Sequence, residues 1–263
     1  MKIGILYLGT GRYICFWEEF YKSALEFLFK NHEVHFFVIT DAPEIAGEGE
    51  KNVRKYYYDK MKWPFSAKKY EALLKAKVDA QKMDYLYYFN GNMKFVGTIG
   101  DEIIPSEEHG YFAICEWVNY TNGNPDKFPY DRNPECWANI PLGQGKYYFM
   151  GGLHGGRSKE YLKMCEELDA VTKADVARNV IAVCHDESYI NKFMLNKNPL
   201  VISSNYALPQ GWKIEGPGGA PKALVLKKHH YKYGGHSYLR GDTDKKITPL
   251  KWWLNKVFGL KLT

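Results

Sequence analysis

Three short stretches carry side chains able to do chemistry. Asn90-Gly91-Asn92 ends the apolar run YLYYF. Two amides at i and i+2 on a strand end point to the same face. Such carboxamides donate and accept hydrogen bonds without adding charge. Asn-Gly is also the strongest short-range hairpin signal, since both residues tolerate positive φ. Local pattern therefore leaves two readings open, a plain hairpin and a ligand site at a strand end. His185-Asp186-Glu187-Ser188 places two carboxylates beside an imidazole at the start of the helical stretch YINKFMLN. Acidic residues in a first turn are favoured by the helix dipole, which is a purely structural reason for them. A metal there would need a second His or Cys at ligand spacing, and the sequence has none. The third stretch, LKKHHYKYGGH at 226–236, gathers bases that suit either phosphate or a solvated tail.

Positioning these groups requires a frame. KIGILYL at 2–8 reads as a buried strand. Gly9-Thr10-Gly11-Arg12 follows; it looks like part of a phosphate loop but lacks a third glycine and a G-K-[ST] ending. FWEEFYKSALEFLFK has helical spacing, EVHFFVITD reads as a second strand, and SAKKYEALLKAKVDAQK at 66–82 predicts a helix. DYLYYFNGN closes a β-α-β-α-β order, which implies a parallel sheet in an open α/β fold. In such sheets ligands bind at the carboxyl ends of strands, where Asn90 and Asn92 would lie. FMGGLHGGRSKEYL at 149–162 holds four glycines, followed by a helix to about residue 172. The glycines either let backbone approach a ligand or form a turn. Residues 119–134, rich in Asn, Gly and Pro, read as a surface excursion or a flexible lid.

The 263 residues suit one large α/β domain, with or without a substrate subdomain. A net charge of +6 is compatible with phosphates, an anionic membrane or nucleic acid. No nucleic-acid module signature is present, so nucleic-acid binding is set aside. The five cysteines are odd in number and widely spaced, which favours free thiols over a disulfide framework. The chain opens on a strand, without a signal peptide or an apolar stretch long enough to span a bilayer. The expectation is a cytoplasmic protein.

Taken in order, several motifs resemble glycosyltransferase family 6, which holds the ABO blood-group transferases, α-1,3-galactosyltransferase and bacterial homologues. They are G-T-G-R-Y (9–13), W-P (63–64), F-N-G-N-M-K-F (89–95), P-Y-D-R-N-P (129–134), Y-Y-F-M-G-G-L-H-G-G (147–156), H-D-E-S-Y-I-N-K (185–192) and Y-G-G-H (233–236). The resemblance covers about residues 3–240. It implies a GT-A fold over 1–244, an α/β, Rossmann-like mixed sheet with helices on both faces. It also implies retaining transfer of N-acetylgalactosamine (GalNAc) or galactose from a UDP-sugar to a galactoside, in α-1,3 linkage. Where the mammalian enzymes hold Mn²⁺ with Asp-x-Asp, this chain has Asn90 and Asn92. Amides weaken a site for a hard cation. They also remove a repulsion of roughly 4 kcal/mol for a carboxylate about 4 Å from a phosphate charge. An Asn NH₂ could donate to the donor substrate instead. Some bacterial members with Asn-x-Asn work without metal, and no divalent cofactor is expected here.

The resemblance also assigns roles. Glu187 matches the catalytic glutamate at the anomeric carbon. Asp186 and His185 shape the sugar pocket. Leu8, Gly9, Thr10 and Tyr13 match the segment holding uracil and ribose. Met150, Gly151 and Gly152 match the donor-discriminating positions. A small residue at Gly152 leaves room for an acetamido group and favours UDP-GalNAc, whereas Met150 favours UDP-Gal. Lys69, Lys227, Lys228, Lys232 and Arg240 are the bases expected to face the diphosphate. Cys115, Glu116 and Cys184 stand at acceptor-side positions and depart from the common family residues. A fucosylated galactoside or a lipid-linked glycan is the expected acceptor. A UDP-sugar- or glycan-binding relative without turnover is the alternative outside enzymes. The tail 245–263 is basic and amphipathic. Leu250, Trp253, Leu254, Val257 and Phe258 share one helical face, with Lys251, Lys256 and Lys261 between them. Residues 248–263 would lie on the inner membrane face or dock on the protein's own surface.

Overall fold

Alternating apolar side chains on both faces make the first strand, β1 (Lys2–Leu8), a central one: Ile3, Ile5 and Tyr7 enter one core and Leu6 the other. The computed structural model describes residues 1–60, 66–213 and 219–258, without the side chains of Ser66, Asn255, Lys256 and Phe258. Trp63-Pro64 and Lys261 lie outside the described residues.

The chain continues through α1 (Trp17–Phe27), β2 (Glu33–Thr40), β3 (Val53–Tyr57), α2 (Lys69–Leu73), α3 (Lys77–Ala80), β4 (Tyr85–Phe89) and β5 (Met93–Phe95). Next come β6 (Phe112–Glu116), β7 (Phe149–Arg157), α4 (Ser158–Ala177), α5 (Asp186–Met194), β8 (Leu200–Ile202) and β9 (Leu208–Pro209). The last elements are β10 (Ala223–Val225), α6 (His236–Arg240) and α7 (Pro249–Phe258). Seven strands form a mixed sheet in the order β3-β2-β1-β4-β7-β6-β8, and β5, β10 and β9 form a small second sheet. One face of the large sheet packs on α2, α4 and α5 through Leu86, Tyr88 and Ile114. The other packs on α1 and the small sheet through Tyr87, Phe89 and Ala113. This is the α/β mixed sheet with helices on both faces.

Four local expectations change. The parallel order holds for β3, β2, β1 and β4, but β7 runs antiparallel between β4 and β6. The glycine-rich stretch is that central strand and not a turn. A Cβ at Gly155 would come within 2.2 Å of the Tyr87 ring, and one at Gly156 within 2.4 Å of the Tyr111 carbonyl oxygen. Glycine lets the neighbouring strands close on β7. Asn90-Gly91 makes no hairpin: after β4 the chain turns, with Met93 N–H on Asn90 O at 2.9 Å, and leaves for the small sheet. Neither residue has positive φ, so the primed turn is not formed. The helix expected over 66–82 breaks into short pieces. Tyr70, Leu73 and Ala76 are buried at three-residue spacing, which the tighter 3₁₀ winding at Leu74–Ala76 keeps on one face. All five cysteines are free thiols.

Candidate active site

The reversal of β7 builds the site. Where β1 and β4 end, β7 begins, so Leu8, Asn90 and Gly151-Gly152 meet at one edge of the sheet. They border a cavity of about 480 Å³, within the range of small-molecule sites. The cavity also takes in Gly9, Thr10 and Tyr13 after β1, Asn92 after β4, and Cys184, Asp186 and Glu187 at the start of α5. Lys69, Lys228 and Arg240 line it as well.

At one end are the carboxylates. His185, just before α5, holds φ at +50° and ψ at −128°. A non-glycine residue there is strained; the bend turns Asp186 and Glu187 into the cavity. Asn191 ties α5 to β7: its Nδ2 donates to Phe149 O at 2.8 Å and to Glu187 O at 2.8 Å, and its Oδ1 accepts from Phe149 N–H at 2.9 Å. Glu187 accepts from Gly151 N–H at 2.7 Å, from Tyr148 OH at 2.8 Å, and from Trp117 Nε1, 3.2 Å from both carboxylate oxygens. Burial pushes its carboxyl above the ordinary glutamate range, and these donors pull back part of the shift. The result is a fixed carboxylate that is a stronger base than an exposed one.

Asp186 pairs with Lys69 at 2.5 Å, and Lys69 also donates to Gly151 O at 2.5 Å. The ammonium lies 4.3 Å from the Tyr88 ring centroid. Burial disfavours its charge, but Asp186, together with Tyr88 and Glu187, more than offsets this and holds the pKa above the ordinary lysine value. A Cβ at Gly151 would meet Asp186 Oδ2 at 2.8 Å, so glycine keeps this backbone accessible to both partners. At Gly152 the missing Cβ would meet only ordinary contacts, Met150 Cε at 3.4 Å and Asn90 Cβ at 3.5 Å.

At the other end are the bases, carried by residues 226–240. Burial lowers the Lys228 pKa, with Asp186 opposing, and no carboxylate lies within ion-pair distance of Lys228 among the described residues. His236 is pushed down to about 4 by burial and by Arg240 and Lys228. Arg240 pairs with Asp242 at 3.0 Å. This segment forms a roof: Leu226, Leu239 and Tyr233 pack on Phe16 and Tyr13. Arg12 clamps it, donating to Tyr238 O at 2.8 Å, to Thr243 O at 2.6 Å, and pairing with Asp244. The Gly9–Arg12 motif therefore spends its arginine on the roof.

Between the two ends lie the amides. Asn92 is 3% exposed. Its Nδ2 donates to Leu226 O at 2.6 Å, and Leu226 N–H returns to Asn92 O at 2.8 Å. A carbonyl only accepts, so this contact fixes which way the amide points. The Asn92 Oδ1 is buried and without a hydrogen-bond partner among the described residues. Tyr88 OH approaches Asn90 Oδ1 at 3.5 Å. Two neutral oxygens supply little charge for a hard dication, and no cluster of three metal-ligating side chains occurs among the described residues.

Six expected residues fall elsewhere. Lys232 pairs with Glu19 of α1 at 2.8 Å, and Lys227 is exposed outside the cavity lining. The Glu19 carboxyl draws Lys232 away; despite burial, bonds from Lys232, Lys94 and Tyr233 lower it to about 2. Met150 points into the core behind Gly152. His185 turns Asp186 inward but does not line the cavity. Cys115 is wholly buried, its thiol directed to Ser203 O at 3.5 Å, because β6 alternation sends it into the core. Glu116, on the opposite face, is half-buried and its carboxyl is raised by burial; neither residue lines the cavity. Conversely, Lys60, Phe16, Tyr88, His236 and Leu239 line it without having been singled out, and Trp117 and Tyr148 reach Glu187. Trp117 N–H bonds Tyr148 O at 2.9 Å, a pairing across β6 and β7 that local sequence does not reveal.

Comparison with known proteins places the sequence in a family. The family model for glycosyltransferase family 6 matches residues 1–217. The O-antigen biosynthesis glycosyltransferase WbnI of Escherichia coli is 28% identical over 239 residues, covering 90% of this chain and 99% of that protein. The mouse globoside alpha-1,3-N-acetylgalactosaminyltransferase 1 is 27% identical, over 78% of this chain and 60% of its own. The rat histo-blood group ABO system transferase 2 is 28% identical, over 80% and 65%. The chain thus spans under two thirds of these two mammalian relatives.

Proposed function

The chain belongs to glycosyltransferase family 6, and from that premise we propose that it is a retaining transferase that works without a metal ion. It moves GalNAc from UDP-GalNAc in α-1,3 linkage to a galactoside, with a Fucα1-2Gal acceptor as the first candidate. The observation carrying this reading is the division of one cavity into a carboxylate end and a basic end, with amides between.

The donor lies across that division. Leu8, Gly9, Thr10 and Tyr13 hold uridine at the ends of the strands. The sugar lies against Gly151, Gly152 and the Asp186–Lys69 pair, with Asp186 accepting from its hydroxyls. Glu187 faces the anomeric carbon. It either attacks to give a glycosyl-enzyme that the acceptor hydroxyl then opens, or stabilises an oxocarbenium-like state while the acceptor hydroxyl enters from the face UDP leaves. Both routes retain configuration, form the new C–O bond to the acceptor oxygen and pass its proton to the departing phosphate. The glycosidic C–O bond breaks with its electron pair leaving on UDP. Lys228 and Arg240 stabilise that charge in the place of a dication. An ammonium already half-buried at the cavity wall requires little rearrangement to do so. Asn92 contributes its unsatisfied oxygen, not an NH₂, and so accepts from a donor hydroxyl. Cys184, at the cavity wall beside Glu187, faces the acceptor side.

The lack of a side chain at Gly152, where even a Cβ would meet only ordinary contacts, favours the acetamido group of GalNAc. UDP-Gal remains the second reading, favoured by Met150 lying against that glycine. The test is incubation with each donor and 2′-fucosyllactose, with the new anomeric proton read by NMR. An α-linked product, faster from UDP-GalNAc, is expected. A β-linked product overturns retention, and faster transfer from UDP-Gal overturns the donor assignment.

A further inference from the structure

The charge of this chain is strongly segregated. Residues 220–263 hold ten lysines and arginines against two aspartates, a net +8, so the preceding 219 residues are net −2. This segment lies beyond residues 1–217 matched by the family model. Part of its charge serves the cavity through Lys228 and Arg240. Lys227, Lys245 and Lys246 are exposed and do not line it.

The same segment ends in α7, whose start is well specified. Thr248 accepts at Oγ1 from Lys251 N–H at 3.2 Å, and Pro249 occupies the first helical position. One side of the helix is anchored: the Trp252 ring lies 4.6 Å from His230 and 5.4 Å from Tyr231. Ile247 N–H bonds Gly234 O at 2.9 Å, tying the helix to the cavity roof. The opposite side carries Leu250, Trp253 and Val257, spaced i, i+3, i+7, and 67%, 50% and 52% exposed. With Trp252 on the inner face, half or more of each side chain in this stripe is open to solvent. No helix among the described residues is long and apolar enough to cross a membrane.

We propose that α7 seats this protein on an anionic lipid bilayer, with Leu250, Trp253 and Val257 entering the interface and Lys245 and Lys246 facing lipid headgroups. An apolar helix face flanked by lysines gains both from burial of its stripe and from attraction to a negative surface. Charge complementarity selects this occupant over a second copy of the chain, whose own basic segment would face an identical one. The bilayer contact stands whether or not the donor assignment above holds.

The experiment is co-sedimentation of the full chain with phosphatidylcholine vesicles and with vesicles containing phosphatidylglycerol. Sedimentation with the anionic vesicles alone, weakened by salt, is expected. Leu250→Ser with Val257→Ser should lower it about tenfold or more. Lys245→Glu with Lys246→Glu should do so to a similar degree. All four positions are exposed, so both variants should melt with the parent. In the unchanged chain, lipids brominated on their acyl chains should quench tryptophan fluorescence, and Trp253→Phe should remove most of that quenching. Absence of sedimentation, sedimentation indifferent to the Leu250 and Val257 changes, or self-association through these residues without vesicle binding would each overturn the proposal.

Discussion

The carboxylate end and the basic end of the cavity are built in opposite ways. Glu187 and Asp186 stand on α5, which Asn191 fastens to a central strand, and their oxygens meet Gly151, Tyr148, Trp117 and Lys69 from three other elements. At the basic end, Lys228 and Arg240 belong to a roof that rests on Phe16 and is clamped by Arg12 and Glu19. One end is part of the core, satisfied before any ligand arrives. The other leaves a half-buried ammonium with no carboxylate within ion-pair distance among the described residues. On the proposed reading, the groups aimed at the reacting carbon are held by the sheet and those facing the departing phosphate are held by the roof.

Breaking the carboxylate end should have the largest effects. Glu187→Gln should lower transfer about a thousandfold while leaving UDP affinity within about twofold; steady-state rates and UDP calorimetry separate the two. Equal losses would make Glu187 a structural residue. Lys69→Met strands Asp186 in a buried site and should cost about 3–5 kcal/mol of stability in urea unfolding. Adding Asp186→Leu should recover most of that stability without recovering transfer. At the basic end, Lys228→Ala should leave melting nearly unchanged yet weaken UDP binding about tenfold or more, with less salt dependence than the parent. Between the ends, Asn92→Asp replaces the Nδ2 donor to Leu226 O with a carboxylate. It should cost about 1–3 kcal/mol and confer no Mn²⁺-dependent activity, as assays across a manganese titration would show. The smallest effect sharpens the carboxylate end. Trp117→Phe removes a donor that favours the ionised form of Glu187, whose pKa is already raised. Activity that needs the carboxylate is lost as pH falls through that pKa, so the acid limb of kcat/KM should move up by about half a pH unit.

The two ends were also unequally legible in the sequence. Asp186 and Glu187 were readable through the resemblance, whose motif places both side chains at one helix start. Leu8, Gly9, Thr10 and Asn90 were readable because a strand followed by a turn locates its own end. The partners of Glu187 were not. Trp117 and Tyr148 are 31 residues apart in sequence and meet only through the β6–β7 register, which no local pattern encodes. That the glycine-rich stretch forms a strand was hidden for a related reason. Strand-forming side chains are scarce in it, and only the space occupied by Tyr87 and Tyr111 explains why glycines make a strand there. Among the bases, spacing could not separate Lys228 from Lys232, because that distinction depends on Glu19 of α1, more than two hundred residues earlier. The amide of Asn92 was recognised as a site residue, but its orientation required knowledge of Leu226.

The most direct test of the account is transfer from UDP-GalNAc to a galactoside acceptor, measured once in EDTA and once in Mn²⁺. The account predicts equal product in both, since fixed cations at one end of the cavity stabilise the departing diphosphate. Product that forms in Mn²⁺ and disappears in EDTA would contradict it.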